Sequence, residues 1–383
     1  MELGASSLAH VEKIADGSTV TTTDAELRAA YKGKRVVVTG HTGFKGSWLT
    51  LWLSELGAEV TGYSLEPDTD PALFRVIGLD SLCKNITADV RDFDRLRTAL
   101  REARPQVIFH LAAQPLVRES YEHPLETIQT NVMGTTHLLE AVRVEKLAAA
   151  MVVVTSDKCY ENRESLHGYR EDEAMGGHDV YSMSKGVTEL VVSSYRRSFF
   201  SHSGGVRLAS ARAGNVIGGG DWAKDRIIPD IVRAIAKGTP VVVRNPQSVR
   251  PWQHVLEPLG GYLLLGARLQ SHDTSVSAQA CEAWNFGPKL DSTRPVRDLV
   301  NGLLKGFGEG SWEERHDPRA VHEANLLRLS IEKAYVHLGW SPRWDFGPTL
   351  GHTVDWYKAH RAGANVESMR SLSLGQIRTY LSS

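Results

Sequence analysis

The stretch "VVVTGHTGFKGSW" at residues 36–48 decides the fold of this chain. Its uninterrupted β-branched run is typical of a strand that is buried on both faces, as in a parallel sheet. Three glycines, Gly40, Gly43 and Gly46, follow at a spacing of three, and an apolar helix is predicted at 47–57. A strand, a glycine turn and a helix in this order let backbone N–H groups approach a pyrophosphate. The stretch therefore predicts dinucleotide binding; a purely structural turn is the alternative, because glycines in a turn are by themselves a weak signal.

Strand-like and helix-like patterns alternate along the chain on both sides of this stretch. The predicted strands are 34–40, 58–65, 85–92, 106–113 and 149–157, and the helices predicted between them include 47–57, 94–105 and 124–143. Such alternation predicts an α/β fold with a Rossmann-type, doubly wound parallel sheet. From "GGGDW" (218–222) onward the pattern loosens, which predicts a smaller C-terminal substrate-binding lobe.

These patterns divide the chain into four predicted parts. They are an N-terminal extension at 1–28, a mainly dinucleotide-binding domain at 29–217, a mainly substrate-binding lobe at 218–360 with some chain crossing back to the sheet, and a tail at 361–383.

Composition excludes several classes of function. The chain of 383 residues has 44 Lys and Arg against 45 Asp and Glu, so it lacks the basic excess of nucleic-acid or membrane-surface binders. Its cysteines, Cys83, Cys159 and Cys281, show no paired spacing, which indicates reduced thiols, a cytoplasmic location and no metal motif. No run of about 18 apolar residues predicts a membrane span. Residues 1–24 do not have the pattern of a secretory signal.

Several side chains near the predicted strand ends are candidates for cofactor contacts. His41 and Lys45 lie in the glycine turn, where they either contact cofactor phosphates or are ordinary surface groups. Ser64 stands near the end of the second strand, where an acidic residue would favour NAD, so NADP is not excluded beside NAD. Asp89 and Val90 end the third predicted strand, where an adenine ring would lie; a turn or helix-cap role is the alternative for Asp89.

The stretch "DVYSMSKGVTELVVSSY" places Tyr181 and Lys185 four residues apart at the start of a predicted helix. This spacing puts both side chains on one face of the helix. A nearby ammonium favours the phenolate, so we expect Tyr181 to titrate well below its usual pKa of about 10. Such a phenolate can take a proton from a sugar hydroxyl while hydride leaves the same carbon. An ordinary surface pair is the alternative, because this spacing is common by chance.

A polar cluster, "TSDKCY" at 155–160, follows the apolar fifth predicted strand. Asp and Lys side chains are rarely fully buried unless they are paired. Ser156, Asp157 and Lys158 therefore either form a solvated strand end with a structural ion pair or face a substrate.

Six motifs together resemble the extended short-chain dehydrogenase/reductases, the family of NAD-dependent epimerases and dehydratases: "GHTGFKG", "HLAAQPLV", "TSDKCY", "YSMSK", "GNVIGGGDW" and "RPWQHV". The resemblance runs from about residue 29 to 357 and is greatest to members that dehydrate CDP-glucose. It implies NAD as cofactor, CDP-glucose or another nucleotide-glucose as substrate, and a homodimer or tetramer that pairs through helices near 124–143 and 181–197. It also implies a role in making deoxysugars for a surface polysaccharide such as lipopolysaccharide O-antigen.

The resemblance implies roles for the polar cluster as well. Ser156, with Thr155 as fallback, matches the residue that orients the sugar beside Tyr181. In the dehydratases of this family the next two positions carry an acid and a base, which Asp157 and Lys158 match. Tyr181 would then take the 4-hydroxyl proton, Lys158 the C5 proton, and Asp157 would protonate the departing 6-hydroxyl. These roles need a raised pKa at Asp157 and a lowered pKa at Lys158, and an ion pair between them would oppose both, so Glu161 or a water is the alternative.

The remaining candidates also follow from the resemblance. Further cofactor contacts are implied for Phe44, Ala112, Ala113 and Thr130. Guanidinium groups suit a diphosphate, and the residues implied at the substrate are Gln114 and Arg118 near the hexose, Asn215, Arg244 and Arg250 near the diphosphate, and Arg226 at the segment over the base.

Two other kinds of function stay open at this point. A nucleotide-sugar 4-epimerase or reductase would use the same Tyr181 and Lys185, although the acid and base at Asp157 and Lys158 disfavour it. A non-catalytic sensor of nucleotide sugar or NAD would keep the fold, but a binding module has no use for an activated phenolate.

Overall fold

The structure is a computed structural model that describes residues 23–200, 205–315 and 326–383. Its central sheet has seven parallel strands, which are β1 Arg35–Thr39, β2 Glu59–Ser64, β3 Lys84–Thr87, β4 Val107–His110, β5 Ala150–Val154, β6 Arg207–Ala213 and, from late in the chain, β11 Ala283–Phe286. The strand order is β3-β2-β1-β4-β5-β6-β11. Winding reverses between β1 and β4, and open α/β sheets bind ligands in the crevice at the carboxyl ends of the strands beside such a reversal. The predicted Rossmann-type, doubly wound α/β fold is confirmed.

Helices cover both faces of this sheet. Those before β6 are α1 Asp24–Tyr31, α2 Phe44–Glu55, α3 Leu73–Val76, α4 Phe93–Ala103, α5 Val117–Glu122, α6 Pro124–Ile128, α7 Gly134–Val144 and α8 Val180–Tyr195. Those after β6 are α9 Ile227–Lys237, α10 Leu256–Leu269, α11 Thr274–Ala280, α12 Val296–Phe307, α13 Phe346–Arg361 and α14 Val366–Ser382. None of the helices within the described ranges is long and apolar enough to cross a membrane.

A second region is built from small strand pairs and from helices of the later chain. Within the described ranges the pairs are β7 Val216–Ile217 with β10 Gln253–His254, β8 Val241–Val243 with β13 Trp312–Glu314, and β9 Val249–Pro251 with β12 Thr293–Pro295. Between these pairs the chain returns to the central sheet through α10 and β11. The domain boundaries expected from the sequence stay a prediction.

The strand and helix around the glycine turn form for reasons that are local in the sequence. Val36, Val37 and Val38 are buried in β1, as a continuous β-branched run in a parallel sheet requires. Helix α2 is apolar on nearly all sides, and Trp48 and Trp52 in it are fully buried. A helix of this kind must be covered on several faces. It lies between the sheet and α14, whose Tyr380 ring meets Trp52 edge-on at 5.6 Å.

Several predicted elements differ in detail from the structure. The third, fourth and fifth strands end early, at Thr87, His110 and Val154, so Asp89, Ala112 and Asp157 lie beyond the strand ends. The long helix predicted at 124–143 is interrupted by one π-helical turn at Gln129–Met133, between α6 and α7. Such turns often lie at functional sites, and this one contains Thr130 and Asn131 beside the carboxyl edge of the sheet.

Candidate active site

The glycine turn at the end of β1 has the geometry that a dinucleotide needs. Gly40 has φ +72°, and a Cβ at this position would lie 2.7 Å from the Ala112 nitrogen. A Cβ at Gly46 would collide with the Gly40 carbonyl. Gly43 precedes α2 as its N-cap and has no side chain that could occupy the free N–H groups there. The turn therefore leaves backbone N–H groups accessible at a helix N-terminus, and these residues fit a pyrophosphate.

The two polar side chains of this turn point in different directions. His41 is fully buried; its Nε2 lies 2.8 Å from Asn85 Oδ1 and its ring meets Phe74 edge-on at 5.4 Å. Burial lowers the pKa of His41 to about 4, so the neutral ring serves packing beneath β2 and β3. Lys45 is half-buried with its Nζ 5.9 Å from the centre of the Tyr262 ring.

Lys45 lies within electrostatic reach of the polar cluster. Burial lowers the pKa of Lys45 to about 8, the charges of Arg226 and Lys185 add to this, and Asp157 opposes it. Phe44, the neighbour of Lys45, is half-buried against the core. Lys45 thus lies near the candidate catalytic side chains as well as near the predicted phosphate site.

The other candidates for cofactor contacts lie along the carboxyl ends of β2, β3 and β4. Ser64 Oγ is 2.8 Å from Thr42 Oγ1, and a Cβ on Gly134 would lie 2.7 Å from Val90 Cγ2. Asp89 is held by Arg91, whose Nη2 is 2.6 Å from its Oδ2. The backbone and half-buried side chains that complete this edge belong to Ala112, Ala113 and Thr130.

The polar cluster forms a short turn directly after β5. Ser156 caps the 3₁₀ turn Asp157–Cys159 by accepting a hydrogen bond from the Lys158 N–H at 3.2 Å. The Ser156 hydroxyl also donates to Asp157 Oδ1 at 2.9 Å. A Cβ at Gly214 would lie 2.8 Å from Asp157 Oδ2, so a glycine there leaves room for the carboxylate. We call residues 155–160 the 155–160 segment.

Burial and charge act against each other at Asp157. Its side chain is buried, and burial raises the pKa of Asp157 although Lys158, the Ser156 hydroxyl and Lys45 oppose the shift. Lys158 is half-buried beside it. To act as an acid, Asp157 needs a raised pKa, and burial shifts its pKa in this direction.

Tyr181 and Lys185 begin the helix α8, which we call the Tyr–Lys helix. Asp179 caps this helix by accepting from the Ser182 N–H at 2.9 Å, and Lys185 Nζ is 5.9 Å from the centre of the Tyr181 ring. Burial raises the pKa of Tyr181 to about 12 against the opposing effects of Ser156 and Arg226, and burial lowers the pKa of Lys185 to about 8. The expectation that Tyr181 titrates below its usual pKa is therefore wrong for the protein alone, because burial outweighs the nearby positive charge.

Two of the six substrate candidates share an acidic partner. Arg118 and Arg244 converge on Asp225, with their Nη1 atoms 3.5 and 3.6 Å from the same carboxylate oxygen. The Arg226 Nη1 is 3.0 Å from Asp221 Oδ2, and the charge of Arg226 acts on Tyr181 and Lys45. Its place at the segment over the base stays a prediction. The others are Gln114, which donates to Thr127 Oγ1 at 2.8 Å, Arg250, which donates to the Val249 carbonyl at 3.0 Å, and Asn215, which is exposed.

Sequence reasoning missed three polar residues at this edge of the sheet. Asn131 is buried in the π-helical turn; its Oδ1 accepts from the Gln114 N–H at 2.8 Å and its Nδ2 donates to Ser184 Oγ at 2.9 Å. Glu189 and Arg212 form a buried ion pair behind the 155–160 segment. Only Glu189 has a local signal, since it follows Lys185 by four residues and so shares its helix face.

The chain matches known proteins along most of its length. The family model described as GDP-mannose 4,6 dehydratase matches residues 37–352. A CDP-glucose 4,6-dehydratase of Salmonella typhimurium is 51% identical over 360 residues, which cover 92% of this chain and 97% of that protein.

Solved structures of similar fold include a dehydratase and an epimerase. The dTDP-glucose 4,6-dehydratase DesIV of Streptomyces venezuelae, in a complex with NAD, has a TM-score of 0.73 and 23% identity over 86% of this chain and 98% of its own. A UDP-glucose 4-epimerase of Thermotoga maritima has a TM-score of 0.71 and 20% identity over 85% and 99%. At these identities the two structures speak for the fold alone. The match to the family model and the identity to the Salmonella protein show more than the fold: the chain belongs to the family described as GDP-mannose 4,6 dehydratase.

Proposed function

We propose that the chain is an NAD-dependent CDP-glucose 4,6-dehydratase, a hydro-lyase that converts CDP-D-glucose to CDP-4-dehydro-6-deoxy-D-glucose. One observation carries the chemistry: the buried Asp157, whose pKa is raised by burial, lies beside Lys158 in the turn after β5. An elimination needs an acid and a base, whereas an epimerase or reductase does not need this pair. CDP as the nucleotide rests on the 51% identical Salmonella protein, which is named a CDP-glucose 4,6-dehydratase.

The glycine turn would hold the pyrophosphate of the cofactor, with Gly40, Gly43 and Gly46 at the N-terminus of α2. The carboxylate of Glu66 stands two residues beyond Ser64 and accepts from Thr87 Oγ1 at 2.9 Å. A carboxylate at this end of β2 would repel the extra phosphate of NADP, so we propose NAD. When bound, the cofactor would accept the C4 hydride as NAD⁺ and return it to C6 as NADH, and the positive charge of NAD⁺ would favour the phenolate of Tyr181.

Each proton transfer of the reaction is assigned to one side chain of the protein. Ser156 orients the sugar, and the phenolate of Tyr181 accepts the proton of the 4-hydroxyl. The resulting C4 ketone makes the C5 hydrogen acidic, and the neutral amine of Lys158 accepts it as a proton. Asp157 donates its proton to the 6-hydroxyl, which leaves as water, and Lys158 returns a proton to C5 when C6 receives the hydride. Lys185, whose ammonium lies on the same helix face as Tyr181, favours the phenolate.

The nucleotide end of the substrate needs positive charge. We propose that Arg244 and Arg250, together with Asn215, bind the diphosphate, and that Gln114 and Arg118 bind the hexose. Arg118 and Arg244 both lie near the Asp225 carboxylate, which supports neighbouring places for the hexose and the diphosphate.

We also propose a homodimer that works in the cytoplasm and supplies deoxysugars for a surface polysaccharide. Exposed apolar side chains on the two helices expected to pair support the dimer: Leu125 is 67%, Met133 43% and Leu190 59% exposed. Apolar side chains of this size on neighbouring helices are typical of an interface.

A proton NMR time course in D₂O tests this function with the purified protein, CDP-glucose and NAD⁺. We expect a new C6 methyl signal with deuterium at C5, because both arise only when elimination follows oxidation at C4. The Tyr181→Phe variant, which keeps the ring but cannot accept a proton, serves as the control and should give no methyl signal. A galacto-configured product with an intact 6-hydroxyl would show that the protein is an epimerase and not a dehydratase. Turnover of a different nucleotide-glucose alone would overturn the CDP assignment.

A further inference from the structure

A buried ion pair lies directly behind the 155–160 segment, and the proposed reaction does not use it. Arg212 Nη2 is 2.8 Å from Glu189 Oε2, and the two side chains are only 3% and 4% exposed. Burying two charges costs free energy, so such a pair is weak evidence for stability. The hydrogen-bond partners of the two side chains indicate a role other than stabilising the fold.

The Glu189 carboxylate connects the Tyr–Lys helix to the strand end. Glu189 lies one turn after Lys185 on that helix. Its Oε1 accepts a short hydrogen bond from Thr155 Oγ1, and its Oε2 accepts from Ser210 Oγ at 2.7 Å. Since Thr155 directly precedes Ser156, the carboxylate holds the start of the 155–160 segment.

Arg212 holds the other end of the same segment. Its Nη1 donates to the Tyr160 hydroxyl at 2.5 Å and to the Glu171 carbonyl at 3.2 Å. The Tyr160 hydroxyl in turn donates to Asn285 Oδ1 at 2.8 Å, which fixes the Tyr160 side chain against β11. The three reacting candidates of the segment therefore lie between two anchored residues.

We propose that Glu189 and Arg212 are positioning residues that hold the 155–160 segment in register with the Tyr–Lys helix, so that both face the same sugar carbon atoms. This inference rests on the proposed function. A displacement of about 1 Å between reacting groups can cost about a hundredfold in rate, so a rigid connection between the two elements matters for catalysis.

The carboxylate also acts on Lys185 through its charge. Burial lowers the pKa of Lys185, and the negative charge of Glu189 opposes this, as a thiolate at Cys159 would. The other titratable groups that face Lys185 are Lys45, His110 and Tyr181. Removal of the Glu189 charge would lower the pKa of Lys185 further, so the ammonium would lose its proton at a lower pH.

A matched pair of variants separates positioning from simple stabilisation. Thr155→Val and Ser210→Ala each remove one hydroxyl that donates to Glu189, but only Thr155 belongs to the 155–160 segment. We expect Thr155→Val to lower kcat by about tenfold to a hundredfold with KM nearly unchanged. Thr155→Ser, which restores the hydroxyl, should recover most of kcat, and Ser210→Ala should keep the wild-type kcat. Circular dichroism melting curves check that each variant is folded.

The Glu189→Gln variant tests the charge. It keeps the shape of the side chain, and we expect a lower kcat together with a shift of the alkaline limb of the kcat–pH profile to lower pH. Thr155→Val retains the carboxylate and should leave that limb unmoved. If Glu189→Gln does not fold, the hydroxyl variants still test whether the 155–160 segment is held in position. Tyr160→Phe, which removes the contact to Arg212, tests the same at the other end of the segment.

Two results would overturn the inference without touching the proposed function: equal kcat values for folded Thr155→Val and Ser210→Ala, or a Glu189→Gln enzyme with an unmoved pH profile. A wild-type protein that forms no C6 methyl product from any nucleotide-glucose would instead overturn the proposed function, and the inference with it.

Discussion

Two carboxyl groups at the carboxyl edge of the sheet are equally buried, at 4% exposure each, yet their pKa values move in opposite directions. Burial would raise the pKa of Glu189, but Arg212 and the hydroxyls of Thr155 and Ser210 outweigh burial, so its pKa is lowered. Burial also raises the pKa of Asp157, and there the nearby Lys158 and Ser156 do not outweigh it.

The difference shows that depth of burial alone does not decide which acid keeps its charge. Arg212 is as buried as Glu189 and contacts it directly at 2.8 Å, whereas Lys158 is half-buried, so that solvent screens its charge. The Glu189 site therefore favours a permanent anion that fixes geometry. The Asp157 site shifts the balance toward the protonated form, which an acid needs.

The largest expected effect comes from removing the proton of Asp157. Asp157→Asn keeps the volume of the side chain and its burial but cannot act as an acid. We expect kcat to fall by about a hundredfold to ten-thousandfold, the range of general acid catalysis. Formation of the C6 methyl signal measures this rate.

Glu161→Gln is the matched control for Asp157→Asn, because Glu161 is an exposed acid near the end of the same segment. Its kcat should stay close to that of the wild type. A large loss in Glu161→Gln with an active Asp157→Asn would transfer the acid role to Glu161.

The second effect concerns stability and belongs to the Glu189 site. Arg212→Met leaves the buried carboxylate without its cation, so we expect the free energy of unfolding to fall by about 3–5 kcal/mol. Adding Glu189→Gln removes the unpaired charge and should recover part of the loss. Asp157→Asn should unfold at a urea concentration no lower than the wild type does. Urea denaturation monitored by circular dichroism measures all of these free energies, and equal stability of the single and double variants would contradict the assigned difference between the sites.

The glycine turn and the 155–160 segment could be predicted because their sequence signals are local. A β-branched run, three glycines and an apolar helix follow one another within 36–48, and the 155–160 segment directly follows a buried strand. The confirmed fold class follows from the same short-range alternation. Local patterns of this kind report which way a strand end faces without any knowledge of distant contacts.

The rest depends on contacts between distant parts of the chain. His41 meets Asn85 across 44 positions, and Glu189 meets Arg212 because α8 packs against β6. The pKa of Tyr181 is raised by burial, which no spacing in the sequence reveals. The helix α14 lies in the predicted tail; its spacing of Met369, Ile377 and Tyr380 on one buried face is a helical signal that the sequence does contain.

A third buried acid, Glu257, sharpens the comparison because neutral donors act on its pKa more strongly than the nearby positive charge of Arg343 does. Its carboxylate accepts hydrogen bonds from the N–H groups of Arg343 at 3.0 Å and Trp344 at 2.6 Å, and from the Tyr380 hydroxyl at 3.0 Å. Burial nevertheless raises the pKa of Glu257 from 4.5 to about 7. Hydrogen bonds from neutral donors thus do not replace the guanidinium that Glu189 has.

The sign of the pH effect at Glu257 follows from linkage. A carboxyl with a raised pKa in the folded protein stabilises the fold fully below the unfolded pKa of 4.5, and this contribution is lost as the pH rises through about 7. Glu257→Gln cannot ionise, so its melting temperature relative to the wild type should rise between these two pH values. Differential scanning calorimetry of both proteins across that pH range measures the difference in melting temperature. The other titrating groups are the same in both proteins, so their effects cancel in this difference. A constant difference would mean that Glu257 stays ionised like Glu189, and that hydrogen bonds from neutral donors can keep a buried carboxylate charged.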